Sequence, residues 1–188
     1  MTRLRGALAL GICIILTGLI GLTIPPEDTW PRYRDVGLRE WGDNGRYAAR
    51  ALDVKLARAA APAQEGSGRT VEAPPDAVVV VIRAEHTPHE KTVLFTSGAR
   101  LLGGDGSTNH AQGESTVPEP GPGFVGSGDL VFVVSEKAVA GAHLALRSRS
   151  QLFTQVTTDT IRVDLGLSDR TPIEEWVRVT AGGTRVGR

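Results

Sequence analysis

Ala77 to Ala84 reads AVVVVIRA, with Pro74 and Pro75 before it and Pro88 after it. Five β-branched residues in a row, Val78 to Ile82, favour extended backbone. A run this short, bounded by prolines, predicts a buried central strand. Asp129 to Val134, DLVFVV, predicts a further strand. Working outward, Thr160 to Leu167 alternates cleanly, with Ile161, Val163, Leu165 and Leu167 on one side and Arg162, Asp164 and Gly166 on the other. Ala142, Leu144 and Leu146 alternate against His143 and Ala145. Period two is the strand signature.

The stretch Arg46 to Ala59 carries two phases. Tyr47, Ala49 and Ala51 alternate in one phase; Leu52, Val54 and Leu56 alternate in the other. A β-bulge near Ala51 reconciles them, since one extra residue flips every later side chain. Its alanines leave a helix as the alternative. Further strands are expected at Val36 to Glu40, Val93 to Phe95 and Ala99 to Leu102. Turns are expected at Asp43-Asn44-Gly45, Thr87-Pro88-His89-Glu90 and Gly103-Gly104-Asp105-Gly106. Residues 60–75 and 107–123 read as polar, Gly/Pro-rich loops. About eight short strands without a convincing helix predict an all-β, antiparallel β-sandwich.

Before the sandwich lies an apolar run, Gly6 to Ile24, GALALGICIILTGLIGLTI. As a helix it would span about 28 Å, close to the ~30 Å hydrocarbon core of a bilayer. Arg3 and Arg5 precede it; Glu27 and Asp28 follow it. That asymmetry predicts a cytoplasmic N-terminus and an extracytoplasmic C-terminal domain. A cleaved signal peptide would end in a small-x-small site, and Gly21-Leu-Thr-Ile-Pro-Pro has none. A lipoprotein would need a cysteine after the apolar region, and Cys13 lies inside it. An uncleaved signal anchor is the best fit. The expected organisation is a cytoplasmic N-terminus at 1–5, a transmembrane anchor at 6–24 and a juxtamembrane linker at 25–35. The β-sandwich follows at 36–167, and a C-terminal tail at 168–188. Within that tail, Ile173 to Val179 reads as a short helix or strand, followed by loose Gly/Arg sequence.

Composition narrows the partners. Lys+Arg 21 balances Asp+Glu 21, so no polyanion-binding surface is built and nucleic acid is not expected as a partner. Cys13 is the single cysteine, so the exported part must be held by its own core without disulfides. Arginine far outnumbers lysine, which occurs only at Lys55, Lys91 and Lys137. With abundant Ala and Gly, this is the coding bias of a GC-rich bacterial genome.

The order VVVVIRAE, ARLLGGDG, PGPGF, GDLVFVVSEKAVAGAHLALRS and TTDTIRVDLGL carries a resemblance. It is similar to the immunoglobulin-like extracytoplasmic domains of unknown function in membrane-anchored proteins and lipoproteins of Gram-positive bacteria, of actinobacterial type. Gly121 to Gly123, Leu130 to Ser135 and Ala142 to Leu146 match that pattern in order and spacing. Ser135-Glu136 departs from the usual Val-Pro, and Thr87-Pro88-His89 from the usual Asn-rich turn. The resemblance implies an immunoglobulin-like sandwich with a surface or assembly role. It brings no catalytic residues.

His86 and His89, flanked by Glu85 and Glu90, form the densest ligand-like cluster. A zinc site would need further ligands converging in space, with His110 and His143 as the only other histidines. Residues 86 and 89 fall on opposite faces of a strand, so a polar turn explains them more simply. Asp105 to Asn109 offers loop oxygens but lacks the acidic spacing of a helix-loop-helix calcium site. Gly126-Ser127-Gly128 is no nucleophile elbow, and it reads as a turn ahead of a strand. Trp41 and Trp176 are core or interface residues. No catalytic, cofactor-binding or metal residue is assigned, and an enzyme is not expected. The expected function is a membrane-anchored interaction domain. Its expected partners are membrane lipid, through the N-terminal helix, and a membrane or envelope protein. The alternative is an envelope ligand- or ion-binding sensor module.

Overall fold

A computed structural model describes residues 32–64, 68–90, 95–147 and 159–187. The strands are β1 Arg32–Val36, β2 Gly42–Asp43, β3 Tyr47–Ala61, β4 Val71–Glu72, β5 Ala77–Pro88 and β6 Ala99–Leu102. They continue with β7 Thr108–His110, β8 Phe124–Ser135, β9 His143–Leu146, β10 Asp159–Asp164, β11 Ile173–Arg178 and β12 Gly183–Val186. Two sheets result. The smaller has five strands in the order β1-β10-β9-β6-β7. The larger has seven, in the order β11-β3-β5-β8-β12, with β2 and β4 attached to β3.

The run AVVVVIRA explains itself once β5 is placed at the centre of the large sheet. Val78, Val80, Ile82 and Ala84 point into the main core, against Leu101, Leu144, Leu146, Ile161 and Val163 of the small sheet. Val79 and Val81 point to the opposite face, into a second cluster with Ala57, Ala60, Val131, Val177 and Val179. A strand buried on both faces has no polar face to alternate with. Tyr47 closes the main core at one end, its hydroxyl donating to the Leu146 carbonyl of the other sheet at 2.5 Å.

The two-phase reading of β3 holds, and the helical alternative does not. Ala51 pairs with Ala84 and Asp53 with Arg83, so Leu52 is the extra residue of a bulge. Before it Tyr47, Ala49 and Ala51 face the core; after it Val54 and Leu56 do. The bulge frees backbone carbonyls that the Gly37–Glu40 turn takes up. Arg39 N–H donates to the Ala51 carbonyl at 2.6 Å, and Arg39 Nε to the Leu52 carbonyl at 3.2 Å.

Several expectations are corrected. The sandwich is not wholly antiparallel: β1 runs parallel to β10, and β11 parallel to β3. The first strand is Arg32–Val36, mostly within the expected linker and not the expected Val36 to Glu40, because residues 37–40 turn back with Arg39 at φ 72°. β5 runs on through Thr87 and Pro88, where a turn was expected, because His86 and Pro88 keep the inward parity. Phe95 caps a 3-10 turn at Thr96–Gly98 rather than ending a strand, and Val93 lies outside the described residues. Loop 60–75 contains the end of β3 and β4, and loop 107–123 contains β7. Gly126 to Gly128 lies within β8. Residues 168–188 hold β11 and β12, which complete the large sheet. The anchor segment 6–24 lies outside the described residues, among which no helix is long and apolar enough to cross a membrane.

Candidate functional site on the outer face of the large sheet

The outer face of the large sheet changes character along its strands, and register makes the change visible. Side chains directly opposite one another share a face. At one end Val79 sits between Ala57 and Val133; next comes Lys55 beside Val81 and Val131. The next row is charged, with Asp53, Arg83 and Asp129 side by side. Beyond it stand Arg50, Glu85 and Ser127. The face thus grades from valine to a ladder of alternating charge.

The chain between β11 and β12 crosses this face. Val177 and Val179 pack on the valines. Thr180 N–H then donates to Asp129 Oδ2 at 2.5 Å. Asp129 is nearly buried and also receives Arg83 Nη1 at 3.4 Å. Thr116 locks the crossing from the other side. Its hydroxyl donates to the Thr180 carbonyl at 2.7 Å and accepts from Asp129 N–H at 2.9 Å.

Glu85 is the second anchor. Arg50 Nε and Nη2 both donate to its Oε2, at 2.9 and 2.7 Å, and Arg185 of β12 donates to Oε1 at 3.2 Å. Burial alone would raise its pKa, but the hydrogen bonds and charges of the two guanidinium groups outweigh burial and hold the carboxylate below its ordinary range. Trp41 lies over the Arg50 guanidinium at 4.6 Å and is 40% exposed. Between the charged ladder and the crossing chain is an open cleft of about 310 Å³, lined by Asp53, Lys55, Arg83, Asp129, Arg178 and Thr180 with Val81 and Val177.

The four histidines separate. His86 is fully buried on the inner face, its ring stacked on Phe95 with centroids 4.1 Å apart. Neither of its ring nitrogens has a hydrogen-bond partner among the described residues. Burial pushes its pKa down to about 4, so the ring is neutral at neutral pH. His89 lies outside, its Nε2 at 3.1 Å from both oxygens of Asp43. His110 is on the edge strand β7 and His143 on β9. Among the described residues no three His, Cys, Asp or Glu side chains converge as metal ligands. Asp105 makes an ordinary turn, its Oδ1 accepting from Ser107 N–H at 2.9 Å with Gly106 at φ 85°. Ser127 Oγ accepts from Arg83 Nη2 at 3.2 Å.

In the sequence Glu85 stood only as a flank of the His86–His89 cluster, and Arg83 and Asp129 carried no role. The signal for them was present: a charged residue interrupting an otherwise apolar central strand needs a partner on the neighbouring strand.

No protein-family model matches the chain, and no curated protein matches it. Three solved structures are similar. An uncharacterized beta-sandwich protein from Clostridium difficile 630 has a TM-score of 0.47 at 11% identity, over 75% of this chain and 99% of its own. A candidate lipoprotein from Bacillus subtilis has a TM-score of 0.45 at 13% identity, over 66% of this chain and 38% of its own. A conserved hypothetical protein from Bacillus anthracis has a TM-score of 0.42 at 13% identity, over 62% of this chain and 91% of its own. The class is a β-sandwich domain, as the strand pairings of the chain itself define it.

Proposed function

We propose that this chain is a single-pass membrane protein. Gly6–Ile24 anchors an immunoglobulin-like sandwich outside the cell, with the N-terminus inside. The sandwich acts as the interaction domain of an accessory subunit in a membrane or envelope complex. One observation carries this reading: Trp41, 40% exposed, lies over Arg50 at the polar end of the outer face. Tryptophan and arginine are the residues most often found at the energetic centre of protein interfaces. Here Arg50 is already fixed by Glu85, so presenting it costs little side-chain entropy.

The interior favours a protein partner over an enclosed small ligand. The space between the sheets is filled by Val, Leu, Ile, Phe and Ala side chains with Tyr47 and His86. The cleft on the outer face is open and charged rather than closed and apolar. Affinity capture from mildly solubilised membranes should return a stoichiometric membrane partner. Trp41→Ala should lower its recovery severalfold while the domain keeps its unfolding midpoint. Recovery of the chain alone in repeated extractions overturns the reading. A C-terminal reporter active only in the cytoplasm overturns the topology.

A further inference from the structure

β11 is an outer edge of the large sheet: β3 pairs with one side, and among the described residues no strand pairs with the other. Its sequence is Ile173-Glu-Glu-Trp-Val-Arg178, and only Val177 is buried. Trp176 is 58% exposed and Ile173 39% exposed. An unpaired edge is a template for another strand, and proteins usually keep large apolar side chains off it.

The charges on this edge are arranged around the indole. Strand period puts Glu174, Trp176 and Arg178 on one face. Glu174 and Arg178 are about 13 Å apart along the strand, too far to pair with each other. Neither takes part in an ion pair among the described residues. The pattern is acid, tryptophan, base, and it becomes its own complement when reversed.

We propose that β11 pairs with β11 of a second copy of this chain, antiparallel, about a two-fold axis at Trp176. In that register Trp176 faces its own copy across the seam, and Glu174 of each chain faces Arg178 of the other. Directly opposed side chains in an antiparallel pair are neighbours, so two indoles and two Glu–Arg pairs form on one face. The contact is isologous and closes as a dimer. β12, the opposite edge, has four residues and its Arg185 is already committed to Glu85, so it offers no such self-complement. The dimer does not depend on where the domain is displayed or on the Trp41 surface.

The test is density-matched sedimentation of the full chain in detergent micelles. The wild type should show a reversible monomer–dimer equilibrium. Glu174→Arg alone and Arg178→Glu alone each set like charges opposite one another and should weaken the dimer at least about tenfold. The double swap should restore it to within about threefold. Both positions are exposed, so each variant should keep the wild-type unfolding midpoint. On a Cys13→Ser background, Trp176→Cys should give a disulfide-linked dimer on mild oxidation, whereas Thr184→Cys should not. A monomeric wild type overturns the proposal. So does a double swap as weak as either single one, or a series of larger species, which would mean head-to-tail pairing of β11 with β12. A dimer held by the apolar N-terminal segment would ignore the charge swaps, and that result also overturns it.

Discussion

With its ring buried and neutral, His86 makes the fold sensitive to acid. Its ring is buried against Phe95 without a hydrogen-bond partner among the described residues, and burial lowers its pKa from 6.5 to about 4. The folded protein therefore holds this proton less tightly than the unfolded chain does. Its contribution is complete above pH 6.5, declines as the pH falls toward 4, and is gone below that. The total is about 3 kcal/mol. Glu85 acts in the same direction but lower, because its carboxylate is held below its ordinary 4.5 and its contribution is lost only as the pH falls through that lower value. Denaturant unfolding at pH 7, 5.5 and 4.5 should show wild-type stability falling through this window. His86→Phe keeps an aromatic ring on Phe95 and should be nearly flat there. A flat wild-type profile would remove the claim that the ring is buried and neutral. In the sequence His86 stood in a ligand-like cluster with His89, for which a polar turn was the simpler reading. The parity Val78, Val80, Ile82, Ala84, His86 continued inward unnoticed, because a histidine marks neither a core nor a surface by its identity.

At the scale of elements, the outer face depends on the crossing between β11 and β12. A Cβ on Gly182 would lie 1.9 Å from the Thr116 carbonyl oxygen, and that backbone has nowhere to move while Thr116 holds Asp129. Gly182→Ala should destabilise the domain by about 1–3 kcal/mol, the usual cost of overpacking. Gly113, where an added Cβ would meet nothing within 4 Å, is the matched control, and Gly113→Ala should change little. Chemical unfolding of the two variants decides it; equal effects would mean the crossing is not clamped. The strands whose side chains meet the core were the legible ones. β10 sends Ile161 and Val163 into the core in step with its alternation, β9 sends Leu144 and Leu146 there although Ala145 on its other face is buried too, and the bulge in β3 was written as a change of phase. β1 and β12 were not legible as strands, and β11 was legible only as the strand half of a helix-or-strand alternative. Five of six residues in β11 and all four in β12 are exposed, so hydrogen bonds to a neighbour's backbone define them, and those leave no side-chain pattern.

For the molecule as a whole, the last 21 residues are structural. Ending the chain after Leu167 would strip β11 from the edge of β3 and β12 from the edge of β8. It would also uncover Val79, Val81 and Val131 by removing Val177 and Val179, each worth about 1.5–3 kcal/mol when buried. Bare edges beside exposed valines are an aggregation hazard. The truncated chain should lose cooperative thermal unfolding and scatter light at concentrations where the full chain stays clear. A truncated chain that melts sharply near the wild-type midpoint would make these residues the loose tail that their composition suggested.

The sequence by itself determined that the chain builds sheets, where its central strands lie, and that β3 changes phase near Ala51. These follow from side-chain branching and period, which act locally. Tertiary structure decided how the sheets close. Two parallel pairings, the edges supplied by residues 173–186 and the charged ladder Asp53–Arg83–Asp129 beside Arg50–Glu85 all join residues far apart in the chain. Such contacts are chosen by backbone hydrogen bonding and by the need to pair each buried charge, and neither is written in the residues of one segment alone.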